Sequence, residues 1–179
     1  VKFVEVLKFG VFAMISVLDT KSVVADYVTK GWFVLPIKPS SKEPITRFVR
    51  NGFKSATNDL TVVDSWIEAE PEMNVGIACE MSGLLVIDID YRNMTPDFWT
   101  LAKQVFQETM MVETGDGVHL YFKADGLSDV KGKLDAGIDI KYKGYVVAAP
   151  SIHSNGKQYE ANGLEPVVLP DYLKEWVTR

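Results

Sequence analysis

The sequence has almost none of the residues that build covalent staples or zinc clusters. Among 179 residues there is one cysteine, Cys79, and two histidines, His119 and His153. A single cysteine excludes an internal disulfide, and with two histidines it falls short of a structural zinc site. A reducing compartment, the cytoplasm, is therefore expected, with no zinc. Long apolar runs are also missing. The longest, Val11–Leu18 after Phe9 and Gly10, is far short of the roughly 20 residues that span a bilayer. No small-residue cleavage site follows it. Positive charge is in deficit, with 19 Lys and Arg against 24 Asp and Glu and a net charge of −5. That argues against a protein held on nucleic acid by bulk charge.

What is present is the composition of a globular protein, 47% hydrophobic and 24% charged, enough for one domain or a main fold with a small attached module. The charges are unevenly spread. Residues 30–54 hold Lys30, Lys38, Lys42, Arg47, Arg50 and Lys54 against Glu43 alone. Residues 59–90 hold Asp59, Asp64, Glu68, Glu70, Glu72, Glu80, Asp88 and Asp90 with no Lys or Arg. A basic stretch followed by an acidic one suits a polyanion on one side and divalent cations on the other, although each charge taken singly reads as a solvated surface group.

Along the chain, Val1 and not Met comes first and Met14 offers an alternative start, so residues 1–18 are expected to be an N-terminal extension whose first thirteen residues carry little functional weight. Periodicity predicts a helix over Thr20–Lys30, a strand over Trp32–Ile37 and a long polar surface loop over Lys38–Thr57. A helix capped by Asp59 or Thr61 should run through Ala69, burying Val62, Val63, Trp66 and Ile67. Strands are expected at Asn74–Ala78, Leu84–Ile89, Met110–Glu113, Val118–Lys123, Ile138–Tyr142, Tyr145–Ala149 and Lys157–Glu160. Helices are expected from Thr95 to about Glu108 and over Pro170–Val177. The expected class is α/β (α+β) with a mixed sheet and no interdomain linker.

Four fragments carry chemistry. In Leu84-Leu85-Val86-Ile87-Asp88-Ile89-Asp90 the alternation of a strand places Asp88 and Asp90 on one face. Adjacent carboxylates repel, and oxygen-ligated ions such as Mg²⁺ or Mn²⁺ relieve that repulsion. The bland reading is a strand running out into solvent. Gly137-Ile138-Asp139-Ile140 places one acid among β-branched residues, where it is unfavourable unless paired or coordinated. Beside Asp88 and Asp90 it would complete a cluster able to hold two metal ions; otherwise it is an edge aspartate facing water. Thr114-Gly115-Asp116-Gly117-Val118-His119 offers a hydroxyl and backbone N–H groups to phosphate, with a histidine on the strand that follows, or it is a plain hairpin. Ala149–Lys157, a turn rich in hydroxyls, contains Ser151, His153 and Lys157, and again reads alternatively as a surface hairpin.

The order of these fragments resembles the bifunctional DNA primase/polymerase N-terminal domain of the archaeo-eukaryotic primase superfamily, the type common in phages and plasmids. That family reads as an hhhDhD strand, a Thr/Ser- and Gly-containing turn ending in histidine, and an hD strand. Here these are Leu85–Asp90, Thr114–His119 and Ile138-Asp139. Further similar pieces are Gly31-Trp32 with Pro36, Lys42-Glu43-Pro44, Ala56–Asp59, Trp66, Asn74-Val75-Gly76 and Tyr145–Gly156, so the resemblance covers about residues 20–175. It implies a primase–polymerase palm over 19–179 with an RRM-like core and a packed N-terminal α/β module. It also implies two Mg²⁺ or Mn²⁺ ions on Asp88, Asp90 and Asp139, with His119 among the catalytic residues. Thr114, Gly115, Gly117 and His119 would bind the nucleotide, with Ser151, His153 and Lys157 as further contacts. The family's turn is often Gly-Gly, whereas Asp116 stands between the glycines here; a basic residue often follows the third acid, and Lys141 agrees.

The implied activity is template-directed nucleotidyl transfer from NTPs or dNTPs on single-stranded DNA, with a downstream or separate helicase as partner and no membrane. Lys38, Lys42, Arg47, Arg50 and Lys54 would track template phosphates, and Trp32, Phe48 and Phe53 could stack bases. The rival readings are a catalytically weak nucleotide- or DNA-binding module of a larger replication protein, a metal-dependent nuclease or phosphohydrolase, and an interaction domain without chemistry.

Overall fold

The computed structural model describes residues 20–93 and 108–179. The expected extension over 1–18 lies outside them, as does the expected helix after Thr95 except for its last residue. Among the described residues there are three helices, α1 (20–29), α2 (Leu60–Ala69) and α3 (Asp171–Val177). The strands are β1 (Val34–Ile37), β2 (Asn74–Ala78), β3 (Leu84–Asp90), β4 (Met111–Glu113), β5 (Gly117–Lys123), β6 (Lys133–Asp135), β7 (Ile138–Lys141), β8 (Tyr145–Ala148), β9 (Glu160–Ala161) and β10 (Val167–Val168). They form a three-stranded sheet, β1-β2-β8, and a larger sheet in the order β6-β7-β3-β5-β4-β9. Pairing is antiparallel except where β10 runs parallel to the end of β5. The class is α+β.

β3 joins two hydrophobic cores by strict alternation. Leu84 and Val86 enter one core with Val34, Leu35, Ile77 and Val146 of the small sheet, together with Trp66 and Tyr121. Leu85, Ile87 and Ile89 enter the other, with Leu120, Ile140, Leu173 and Val177. The small sheet therefore packs on one face of the large sheet, and α3 on the opposite face. Asp88 and Asp90 continue the face that begins with Leu84 and Val86, but lie where packing gives way to solvent.

Several expectations change. The 38–57 segment is anchored: Ile45 N–H donates to the Pro36 carbonyl, Val34 pairs with Thr57, and Ile45 and Val49 are buried. Asp59 caps α2 by accepting from the N–H groups of Thr61 and Val62. Val63, Trp66 and Ile67 are buried as expected, but Val62 is 38% exposed, because the i, i+3, i+4 stripe that faces the core starts at Val63. Trp32 is buried and stacks on Tyr27 at 5.3 Å between ring centroids; Phe48 stacks on Trp66, and Phe53 lies against Tyr145. These rings are packing elements. β6 and β10 have no apolar alternation to announce them. They exist because β7 and β5 present backbone groups to pair with.

Candidate active site

The antiparallel register sets the acids in a row. Asp88 on β3 lies directly opposite Asp139 on β7 and, on its other side, opposite His119 on β5. Lys133 on β6 lies opposite Asp139 and extends the row. Directly opposed residues share a sheet face, so His119, Asp88, Asp139 and Lys133 cross four strands side by side. Asp90 lies one row further out, opposite Gly117, and its N–H donates to the Gly137 carbonyl. Both glycines are needed for close approach. A Cβ on Gly117 would fall 2.0 Å from the Ile89 carbonyl oxygen, and one on Gly137, whose φ is +74°, 2.6 Å from Asn93 Cβ.

Three carboxylates on one face turn to the nearest cations. Asp139 accepts from Lys141 Nζ at 2.9 Å. Asp90 accepts two bonds from Arg92 Nε, at 3.0 and 3.2 Å, and one from its terminal nitrogen at 2.6 Å. That guanidinium holds the Asp90 carboxyl below the usual carboxylate range, against the opposing effect of burial. Asp88 differs. Its side chain is 28% exposed, and its ion-pair contacts among the described residues are long, with His119 Nε2 at 3.6 Å and Lys141 Nζ at 3.8 Å. Among the described residues no three His, Cys, Asp or Glu side chains converge on one point as a metal-ligand group. The three acids share a face but do not form a closed cage. The donor set still suits a hard cation: all are carboxylate oxygens, and Asp88 and Asp139 both flank the single Lys141 ammonium.

His119 is buried, and burial lowers its pKa; Asp88 opposes this, while Lys42 and Lys141 add to it. The ring is therefore neutral at pH 7. Its Nδ1 makes no hydrogen bond of ordinary geometry. Rings line up behind it, with His119 6.1 Å from Tyr159, itself 5.9 Å from His153. Burial and the nearby Asp88 and Asp116 push the Tyr159 phenol up to about 12.

The open cleft in front of this row has a volume of about 310 Å³ and includes Thr114, Asp116, Gly117, Lys42, Arg92 and His153 in its lining. A second hollow of about 270 Å³ adjoins it through Lys42, Asp88 and Lys141, and is walled by His119, Tyr145 and Tyr159. Lys42, expected on a DNA track, thus lies in the cleft beside the acids, held there by a bond from the Tyr145 hydroxyl to its carbonyl. Lys38 pairs with Glu43 and Arg47 with Glu70, while Arg50 and Lys54 are exposed.

The turn residues divide into two groups. Gly115 is buried under the His153 ring, where a Cβ would fall 2.2 Å from Nδ1. Lys157 spends its ammonium on the Gly115 carbonyl, at 3.2 Å. Ser151 is buried, accepts from the Val75 N–H and donates to the Val75 carbonyl. It lines a separate, roomier hollow of about 680 Å³ with Asn74 and Ile152, where the Asn74 amide is also engaged with backbone. Lys157 therefore braces the Thr114–Gly117 turn and Ser151 ties its own turn to β2, while Thr114 and His153 face the cleft.

Arg92 and Lys133 escaped the sequence reading. Arg92 is the first basic residue after the acidic run 59–90, a signal that was there to use; Lys133 needed the β6–β7 register. No curated protein matches the chain. The model of the bifunctional DNA primase/polymerase N-terminal family matches residues 24–172, a span that contains the acid row, the histidine and both bracing turns, and the chain belongs to this family of DNA primase/polymerases.

Proposed function

We propose that the chain performs template-directed nucleotidyl transfer on single-stranded DNA, making or extending primers in phage or plasmid replication. Asp88, Asp90 and Asp139 would hold two divalent ions, Mg²⁺ or Mn²⁺. The observation that carries this reading is the row His119–Asp88–Asp139 at the mouth of an open cleft, with the ion-pair contacts of Asp88 all long among the described residues. The strand order β7-β3-β5-β4 supports an RRM-like palm beneath it.

Such ions, when bound, supply charge neutralisation at the triphosphate and lower the pKa of the attacking 3′-hydroxyl. The chain's own groups do the rest. Lys42, Lys133, Lys141 and Arg92 line the cleft and balance phosphate charge. His119, fixed by burial and neutral, can donate one hydrogen bond from Nε2 to a phosphate oxygen without adding charge. The Thr114 hydroxyl offers a further donor. Tyr159 stays protonated at neutral pH and walls the adjoining hollow, excluding water beside the row. Arg50 and Lys54, exposed on the anchored 38–57 segment, are available to template phosphates. A helicase, attached or separate, would deliver the single strand.

The test is an extension assay on primed and unprimed single-stranded DNA, with NTPs or dNTPs in Mg²⁺ or Mn²⁺. The wild type should lengthen or initiate strands, and Asp88→Asn and Asp139→Asn should fall to background while remaining folded by circular dichroism. Undiminished extension by Asp88→Asn would refute the role of the row. Shortening of the DNA in place of extension would favour a nuclease, and nucleotide binding without product a binding module.

A further inference from the structure

The cleft carries four carboxylates, Asp88, Asp90, Asp116 and Asp139. It also carries four resident cations, Lys42, Arg92, Lys133 and Lys141, so its formal charge is zero. Most of these cations are engaged with the acids or stand beside them. Arg92 is the most heavily committed: its fork takes both Asp90 oxygens, and its other terminal nitrogen stands 4.0 Å from Asp116 Oδ2. It is also solvent-accessible, with 71% of its side chain exposed, so it can turn away once its partner is lost.

Resting on the nucleotidyl-transfer reading, we infer that Arg92 couples metal loading to nucleotide loading, by giving up Asp90 to a divalent ion and transferring its charge to the triphosphate. The coupling is electrostatic. Two divalent ions entering a neutral cleft leave it about four charges positive, and a triphosphate entering alone leaves it about four charges negative. Either excess is unfavourable in a partly desolvated site. Together they restore balance, provided that the cations now on carboxylates can turn to phosphate. Arg92 suits that exchange because a guanidinium fork matches phosphate as well as carboxylate. Metal and nucleotide must then strengthen each other's binding by the same factor. Arg92 thus sets metal affinity while the nucleotide is absent and contacts phosphate once it is bound.

The experiment measures Mn²⁺ binding to the protein by the loss of the free-ion electron paramagnetic resonance signal, with and without a non-hydrolysable α,β-methylene nucleoside triphosphate, after subtracting the Mn²⁺ that the same analogue concentration binds without protein. No turnover is involved. In the wild type the analogue should tighten Mn²⁺ binding about tenfold or more, within the range usual for coupled sites. Arg92→Gln should bind Mn²⁺ alone several-fold more tightly than the wild type, with the analogue tightening it much less. Arg92→Lys, which keeps the charge and loses the fork, should fall between them. Arg92→Gln binding Mn²⁺ alone no more tightly than the wild type, or keeping the full coupling, would overturn the inference while leaving the acids as metal ligands. Mn²⁺ binding that survives Asp88→Asn, with and without the analogue, would instead overturn the reading of the acid row, and this inference with it.

Discussion

Gly117 is where a single methyl group should do the most harm. It sits in β5 opposite Asp90 and lacks the left-handed φ that would favour glycine, so alanine meets no backbone penalty and the whole effect is steric. The new Cβ would lie 2.0 Å from the Ile89 carbonyl oxygen, 3.0 Å from Ile89 C and 3.2 Å from Asp90 Cα. Those are backbone atoms of the strand that carries the acids, and no rotamer change relieves them. Restoring van der Waals distance requires the strands to part by about 1 Å, against a normal spacing of about 4.8 Å. Overpacking of that kind usually destabilises by about 1–3 kcal/mol, and a weakened ladder bond adds about 1 kcal/mol. For a chain of this size a loss of about 2–4 kcal/mol lowers Tm by about 4–16 °C. The same displacement moves Asp90 relative to Asp88. Gly117→Ala should therefore also lose extension activity when assayed well below its own Tm. Thermal unfolding by circular dichroism and a primer-extension assay on the same preparation read the two effects. A Tm within about 2 °C of wild type, together with wild-type extension, would refute the close-approach argument.

Two further outcomes follow from groups outside the cleft. Ser151→Ala removes both bonds to the Val75 backbone in a buried position, so urea unfolding should show a loss of about 1–3 kcal/mol. Its KM for nucleotide should be unchanged at a permissive temperature; a large KM effect with normal stability would make Ser151 a phosphate contact after all. Cys79 is fully buried, and burial pushes its thiol up to about 12, so a thiol reagent at pH 8 should label it only as fast as the chain opens. Because the folded pKa is raised, the associated stability is present below the unfolded thiol's value of about 8.5 and is lost as pH rises towards about 12. A denaturation series across that range should show stability falling with pH, and less so in Cys79→Ala. Prompt labelling of native protein would contradict the burial.

The acid row was legible because strand alternation and motif order depend only on local sequence. Leu84–Asp90 had to put Asp88 and Asp90 on one face whatever they packed against. That Asp139 and His119 stand on either side of Asp88 is a matter of register, which the sequence could suggest only through resemblance. Ser151 and Lys157 read as phosphate contacts because hydroxyl and ammonium groups in a turn suit either phosphate or backbone carbonyls; distances of 2.9 Å to the Val75 N–H and 3.2 Å to the Gly115 carbonyl distinguish the two. Lys42 looked like its basic neighbours until the Ile37–Pro44 pairing turned the segment back over the cleft. Arg47 and Glu70, assigned to opposite charge blocks, pair with each other, so part of the apparent charge separation cancels on folding.

The alternation of β3 also determines which changes in chain length the protein tolerates. One residue inserted ahead of Asp88 within β3 would exchange its two faces. With the insertion ahead of Ile87, Ile87 and Ile89 would point into the cleft, and both aspartates into the core beside Leu173 and Val177. Two carboxylates buried without partners exceed what a domain of marginal stability withstands. The exposed stretch around Asp125, Gly126 and Ser128 has no such phase to keep, and a Cβ on Gly126 would meet nothing within 4 Å. Lengthening should be silent there and lethal in β3, so working variants of this chain should differ in length around Asp125 and Gly126 and keep β3 at its present count.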